Sequence, residues 1–141
     1  MFPKLFNMKE IHFKDTRGVQ IMKFSEFSFP ESSIKKVRFT VAINYDFFKA
    51  RTIVESEKFD FEDLITGLNK IYKKEWKSVG FHLIEKQFTM RFDSEETGYI
   101  KACIKLSNRM FTGTLEIAYI MDQTFIPELI REVEDATELN S

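Results

Sequence analysis

The chain has 141 residues and a mass of 16.7 kDa, which suits one domain over residues 1–141 with a substantial core. Its 21 basic and 22 acidic residues leave a formal net charge of -1, without the basic excess of a general nucleic-acid-binding surface. A single cysteine, Cys103, excludes an internal disulfide and a cysteine-cluster metal site. Sixteen phenylalanines stand against one tryptophan and four tyrosines. Phenylalanine favours strands and fills cores without needing a buried hydrogen-bond partner, so a Phe-rich β core is expected. The alternative is that a few exposed Phe side chains form a partner-binding patch.

In chain order, the N-terminus has no continuous apolar stretch of the kind that marks a secretory signal. No apolar run approaches the roughly 20 residues that span a bilayer. A cytoplasmic protein with no membrane partner is the expectation. Residues 5–13 and 19–29 are β-like, separated by the turn sequence Asp15-Thr16-Arg17-Gly18. Pro30-Glu31-Ser32-Ser33 makes a second break. Val37, Phe39, Val41, Ile43 and Tyr45 then alternate with polar residues, the pattern of a half-buried strand. A further short strand is placed around residues 50–56.

The spacing of Phe61, Leu64, Ile65, Leu68, Ile71, Tyr72 and Trp76 predicts an amphipathic helix over residues 61–77. Asp60 is its expected cap, with Phe59 stapling against Leu64. Acids at its start and lysines at its end match the helix dipole. Gly67 costs about 1 kcal/mol relative to alanine in such a helix.

Three strands are read next, over residues 79–92, 100–106 and 115–121. Asp93-Ser94-Glu95-Glu96-Thr97-Gly98 forms the first turn between them, and Ser107-Asn108-Arg109 begins the second connection. Such short connections imply antiparallel neighbours. In Ala118-Tyr119-Ile120-Met121-Asp122-Gln123-Thr124-Phe125-Ile126-Pro127 the last strand turns a corner into a terminal helix. That helix should begin near Pro127, with Asp122 and Thr124 binding exposed backbone N–H groups. The whole reads as α+β: a mainly antiparallel β-sheet with one central amphipathic helix and one C-terminal helix.

Catalytic and cofactor motifs are missing from this inventory. His12 and His82 lie in separate segments without metal-ligand spacing, and no nucleophile elbow, P-loop or dinucleotide-binding glycine pattern occurs. No cofactor, no metal and no enzymatic activity are therefore expected. Acidic residues cluster at Glu55, Glu57, Asp60, Glu62 and Asp63, at Asp93, Glu95 and Glu96, and along the final helix. Their plainest role is as solvated surface.

The stretch Lys58 to Tyr72, KFDFEDLITGLNKIY, resembles the central helix of WapI-type immunity proteins. Gly98-Tyr99-Ile100-Lys101 is similar to a glycine-led strand of that group, and Asp122-Gln123-Thr124-Phe125-Ile126-Pro127-Glu128-Leu129 resembles its closing corner. The likeness covers residues 58–133. It implies an antidote that binds the C-terminal domain of a polymorphic or contact-dependent growth inhibition toxin, often a nuclease, and neutralises it by stoichiometric occlusion. Direct nucleic-acid binding is not implied. If the toxin carries a basic substrate groove, acidic side chains are the natural competitors for phosphate. Glu57, Glu62 and Asp63 at the helix entrance and Asp93, Glu95 and Glu96 in the turn are then the candidate partner-binding residues. The alternative is a regulatory or scaffolding protein-binding module without a toxin partner, docking through exposed phenylalanines.

Overall fold

A computed structural model describes residues 8–30, 35–83, 86–108, 110 and 112–138. It shows an α+β fold of two antiparallel four-stranded sheets and two helices. The first sheet is the meander β1 (Ile11–Lys14), β2 (Gln20–Ser28), β3 (Lys36–Tyr45) and β4 (Phe48–Glu57); the second is β5 (Ser78–His82), β6 (Phe88–Ser94), β7 (Tyr99–Ser107) and β8 (Thr114–Asp122). Helix α1 (Lys58–Tyr72) joins the sheets in sequence, and α2 (Ile126–Thr137) follows a 3-10 turn at Gln123–Phe125. Within each sheet the strands pair in sequence order, as short connections require.

The aromatic excess is spent largely where the sheets meet. The Phe24 ring on β2 lies 4.7 Å from Phe13 and 4.8 Å from Phe39 within its own sheet, and 6.1 and 5.5 Å from Phe81 and Phe88 of the second. Phe61 on α1 reaches Phe39 at 5.3 Å and Phe81 at 5.1 Å. All of these rings are buried, and their offset and edge-on arrangements add to the burial of their large areas. Polar ties hold the sheet margins together. The Thr16 N–H donates to the Ile120 carbonyl at 3.0 Å, and the Gln87 amide donates to the Thr52 hydroxyl at 3.3 Å.

Several boundaries differ from the sequence reading. The short strand around 50–56 is a ten-residue strand, because the tight turn at Asp46–Phe47 pairs β3 with β4 without a bulge from Tyr45/Phe48 to Lys36/Glu57. The run 79–92 is two strands, β5 and β6, so four strands follow α1 and not three. Helix α1 begins earlier, at Lys58, with Glu57 as its cap; Asp60 accepts the Glu57 N–H at 2.8 Å within a capping box. Phe59, expected ahead of the helix as a staple, lies inside it and is half exposed. The helix ends at Tyr72, leaving Trp76 beyond it and both side chains exposed, although periodicity put them on the buried face. The expected breaks at Glu31-Ser32-Ser33 and Arg109, and residues 5–7 of the first β-like run, lie outside the described residues.

At the closing corner Asp122 binds a backbone N–H as expected, whereas Thr124, expected to do the same, supplies the N–H instead. Asp122 accepts the Thr124 N–H at 2.9 Å, and Pro127 sits in the first turn of α2, where a missing N–H costs nothing. Ile126, Leu129, Val133 and Ala136 bury one face of α2, which contacts α1 and β1. Gly67 has a packing role as well: a Cβ there would meet Val79 Cγ1 at 2.5 Å. Its lack of a side chain lets α1 approach β5.

A candidate partner-binding groove

Where α1 hands the chain to β5, three local devices place an aromatic side chain at the surface. Lys73 caps the helix, and Lys74 adopts a left-handed φ of 62° that turns the backbone. The N–H groups of Glu75 and Trp76 then donate back to the Lys70 carbonyl at 2.9 and 3.3 Å, while the Lys70 ammonium pairs with Glu75 at 3.0 Å. Trp76 is left 47% exposed. The Ser94 N–H donates to the Lys77 carbonyl at 2.8 Å, tying this connection to the end of β6.

Opposite it stands the β6–β7 turn. Glu95 N–H donates to the Tyr99 carbonyl and Gly98 N–H to the Glu95 carbonyl, at 2.9 and 3.3 Å. Gly98 takes a φ of 89°, a conformation that suits glycine. Tyr99 pairs with Asp122, and Lys101 with Ile120. Between these walls lies an open groove of about 930 Å³ lined by Lys74, Trp76, Lys77, Ser94 to Tyr99, Ile120 and Gln123. Tyr99 and Ile120 are 44% and 40% exposed. The result is an apolar strip of Trp76, Tyr99 and Ile120 flanked by two lysines and two glutamates, the mixture of aromatic anchors and polar rim used in protein recognition.

The six acidic residues singled out from the sequence divide among different tasks. Glu95 and Glu96 are exposed on the groove rim. Asp93 is half-buried and engaged by the Ser78 hydroxyl at 2.8 Å and the Arg91 guanidinium at 2.9 Å. Glu57 serves the capping box and pairs with Lys36 at 3.4 Å. Glu62 and Asp63 are exposed near the start of α1, roughly 14–15 Å along the helix from its last residue, Tyr72, at 1.5 Å per residue, and neither lines the groove. The two clusters are thus not one surface. In the first of them, burial pushes the Asp60 carboxyl above its usual range. The Glu57 N–H opposes that shift, and the charges of Glu57 and Asp63 reinforce it. Trp76, Tyr99 and Ile120 escaped the sequence reading: Trp76 fits the helical period, and outward-facing strand residues give no signal of their own.

Each ring nitrogen of His12 lies 3.1 Å from a carboxylate, Nδ1 from Glu132 and Nε2 from Glu10, and its backbone N–H donates to Glu132 at 2.8 Å. The ring clamps β1 to α2. His82 lies over Gly80, where a Cβ would fall 2.3 Å from Nε2. Among the described residues no cluster of three or more His, Cys, Asp or Glu could hold a metal ion, and no helix is long and apolar enough to cross a membrane. Tyr119 is buried with its hydroxyl unpartnered among the described residues; burial, and then the Asp15 charge, raises its pKa.

No family model and no curated protein matches the chain. Among solved structures it is similar to the MRP1/MRP2 proteins of Trypanosoma bruciei, with a TM-score of 0.52 and 12% identity over 97% of this chain and 87% of that one. It is also similar to the plant transcriptional regulator PBF-2, with a TM-score of 0.46 and 12% identity over 96% and 82% of the two chains. At such identity the MRP1/MRP2 likeness concerns the fold alone.

Proposed function

We propose that this protein is an antidote that binds a toxin domain and neutralises it by stoichiometric occlusion, with the groove beside Trp76 and Tyr99 as its docking surface. One observation carries the reading: two exposed aromatic side chains and Ile120 share a groove whose rim bears Glu95 and Glu96. Large aromatic side chains dominate binding energy where they become fully desolvated at an interface. Rim charges speed encounter and reject wrong partners more than they add affinity. Two of the three segments that resemble WapI-type immunity proteins contribute residues to this groove. Gly98 and Tyr99 line the groove beside Gln123 of the closing corner, and the groove's far wall follows α1.

The test is coexpression with a candidate toxin domain taken from an adjacent gene, followed by affinity measurement on the purified pair. The expected result is a one-to-one complex that restores growth. Replacing Trp76 and Tyr99 together by alanine should weaken binding by roughly 30-fold or more, the range of hot-spot truncations. Reversing Glu95 and Glu96 to lysine should mainly slow association. Reversing Glu62 and Asp63, outside the groove, should change little. Unaltered affinity in the aromatic double variant would remove the groove from the mechanism, and failure to bind or rescue would remove the antidote reading.

A further inference from the structure

Strand β4 is the outer strand of the first sheet, and its free edge has an unusual charge order. The Lys58 N–H donates to the Lys35 carbonyl at 2.6 Å, and Tyr45 pairs with Phe48 across the two-residue turn. In an antiparallel ladder hydrogen-bonded and non-hydrogen-bonded pairs alternate, so even-numbered residues of β4 bond to β3. Odd-numbered residues direct their backbone N–H and C=O groups away from the sheet. The Glu57 N–H fits this parity, since it goes to Asp60. Among the described residues no backbone hydrogen bond reaches Lys49, Arg51, Ile53 or Glu55 from beyond the sheet. The outer edge of β8, by contrast, is bridged by the Thr16 N–H at Ile120.

The same odd-numbered residues put their side chains on the solvent face, and they read Lys49, Arg51, Ile53, Glu55, Glu57. Natural edge strands avoid self-pairing with bulges, prolines or charges that repel a copy. This one has no bulge, runs ten residues and contains no proline. Its charges are antisymmetric about Ile53, which is 54% exposed. Turned through a two-fold axis at Ile53, a second β4 sets Arg51 opposite Glu55 and Lys49 opposite Glu57, with Ile53 against Ile53. The Ile53 pair and the Arg51–Glu55 pairs fall at positions whose backbone groups face outward; Glu57 contributes its side chain alone, since its N–H is held by Asp60.

We infer that the protein forms a two-fold dimer by antiparallel pairing of β4 with β4 of a second copy, centred on Ile53, joining two first sheets into one of eight strands. The intrachain pairs of Glu55 with Lys36 and Arg38, and of Arg51 with Glu26, do not prevent this. A carboxylate has about four acceptor sites and a guanidinium five donors. The partner-binding groove lies on the other sheet and is unaffected, so this inference stands apart from the antidote reading.

Sedimentation velocity over a concentration series tests it. The wild-type chain should shift from 16.7 kDa toward twice that mass. Arg51→Glu and Glu55→Arg should each stay at chain mass, because each sets like charges opposite each other. An equimolar mixture should associate, because both crossed pairs are then complementary. Circular dichroism establishes that each variant is folded. Hydrogen exchange on the wild type needs no variant: the Ile53 amide should slow as concentration rises. A wild type that stays at chain mass overturns the inference. So do single variants that dimerise like wild type, folded variants that fail to associate on mixing, or an Ile53 amide indifferent to concentration.

Discussion

At the scale of single residues, Asp15 illustrates how a turn sequence becomes a hydrogen-bonded hub. Its side chain accepts the N–H groups of Arg17 and Val19 at 2.8 and 3.0 Å and the Arg17 guanidinium at 2.8 Å. Burial alone would raise its pKa, but these donors more than offset that and hold the carboxyl below its ordinary 3.8. A lowered folded-state pKa means that ionised Asp15 stabilises the fold above the unfolded value. That contribution is lost as pH falls through the lowered folded value. Asp15→Asn should therefore cost about 1.5–3 kcal/mol at neutral pH, the range for hydrogen bonds to a charged group. The gap from wild type should narrow in chemical denaturation as the buffer is taken below pH 3.8. A gap that widened in acid would contradict the sign. The turn itself was legible from Asp15-Thr16-Arg17-Gly18, since those side chains act on backbone within a few residues. Trp76 was not, because the same spacing serves a longer helix or a shorter one with a left-handed exit at Lys74.

At the scale of elements, the seam between α1 and β5 tests whether propensity or packing governs. Gly67→Ala gains helix propensity of about 1 kcal/mol, but the new methyl group meets the Val79 side chain at 2.5 Å. Val79 is β-branched, buried and stiff at χ1, so overpacking at a cost of about 1–3 kcal/mol should win. Thermal melting should show a lower midpoint for Gly67→Ala, and Val79→Ala in the same chain should recover part of it. Stabilisation by the single change would mean that the helix moves freely on the sheet. The sequence could price this glycine within a helix, but Val79 lies twelve positions on and its contact depends on the docked helix. Strand β4 is similar: its alternation is visible in Arg51, Ile53 and Glu55, whereas its length follows from pairing with β3.

At the scale of the whole molecule, Phe24 ties both sheets together, touching Phe13 and Phe39 on one side and Phe81 and Phe88 on the other. Phe24→Ala should cost about 3–5 kcal/mol and destabilise both sheets together. Hydrogen exchange at β3 and at β7 should accelerate in parallel. Acceleration confined to the first sheet would make the two sheets separate cooperative units. The α+β class, the antiparallel meanders and the Asp122 corner were determined by the sequence itself, because alternation, turn chemistry and capping act over a few residues. The tertiary structure alone decided that the strands divide into two sheets, that Trp76, Tyr99 and Ile120 share a groove, and that Glu57 and Asp93 are engaged while Glu95 and Glu96 line its exposed rim. Those outcomes depend on which distant surfaces bury one another, and no local pattern of residues encodes that choice.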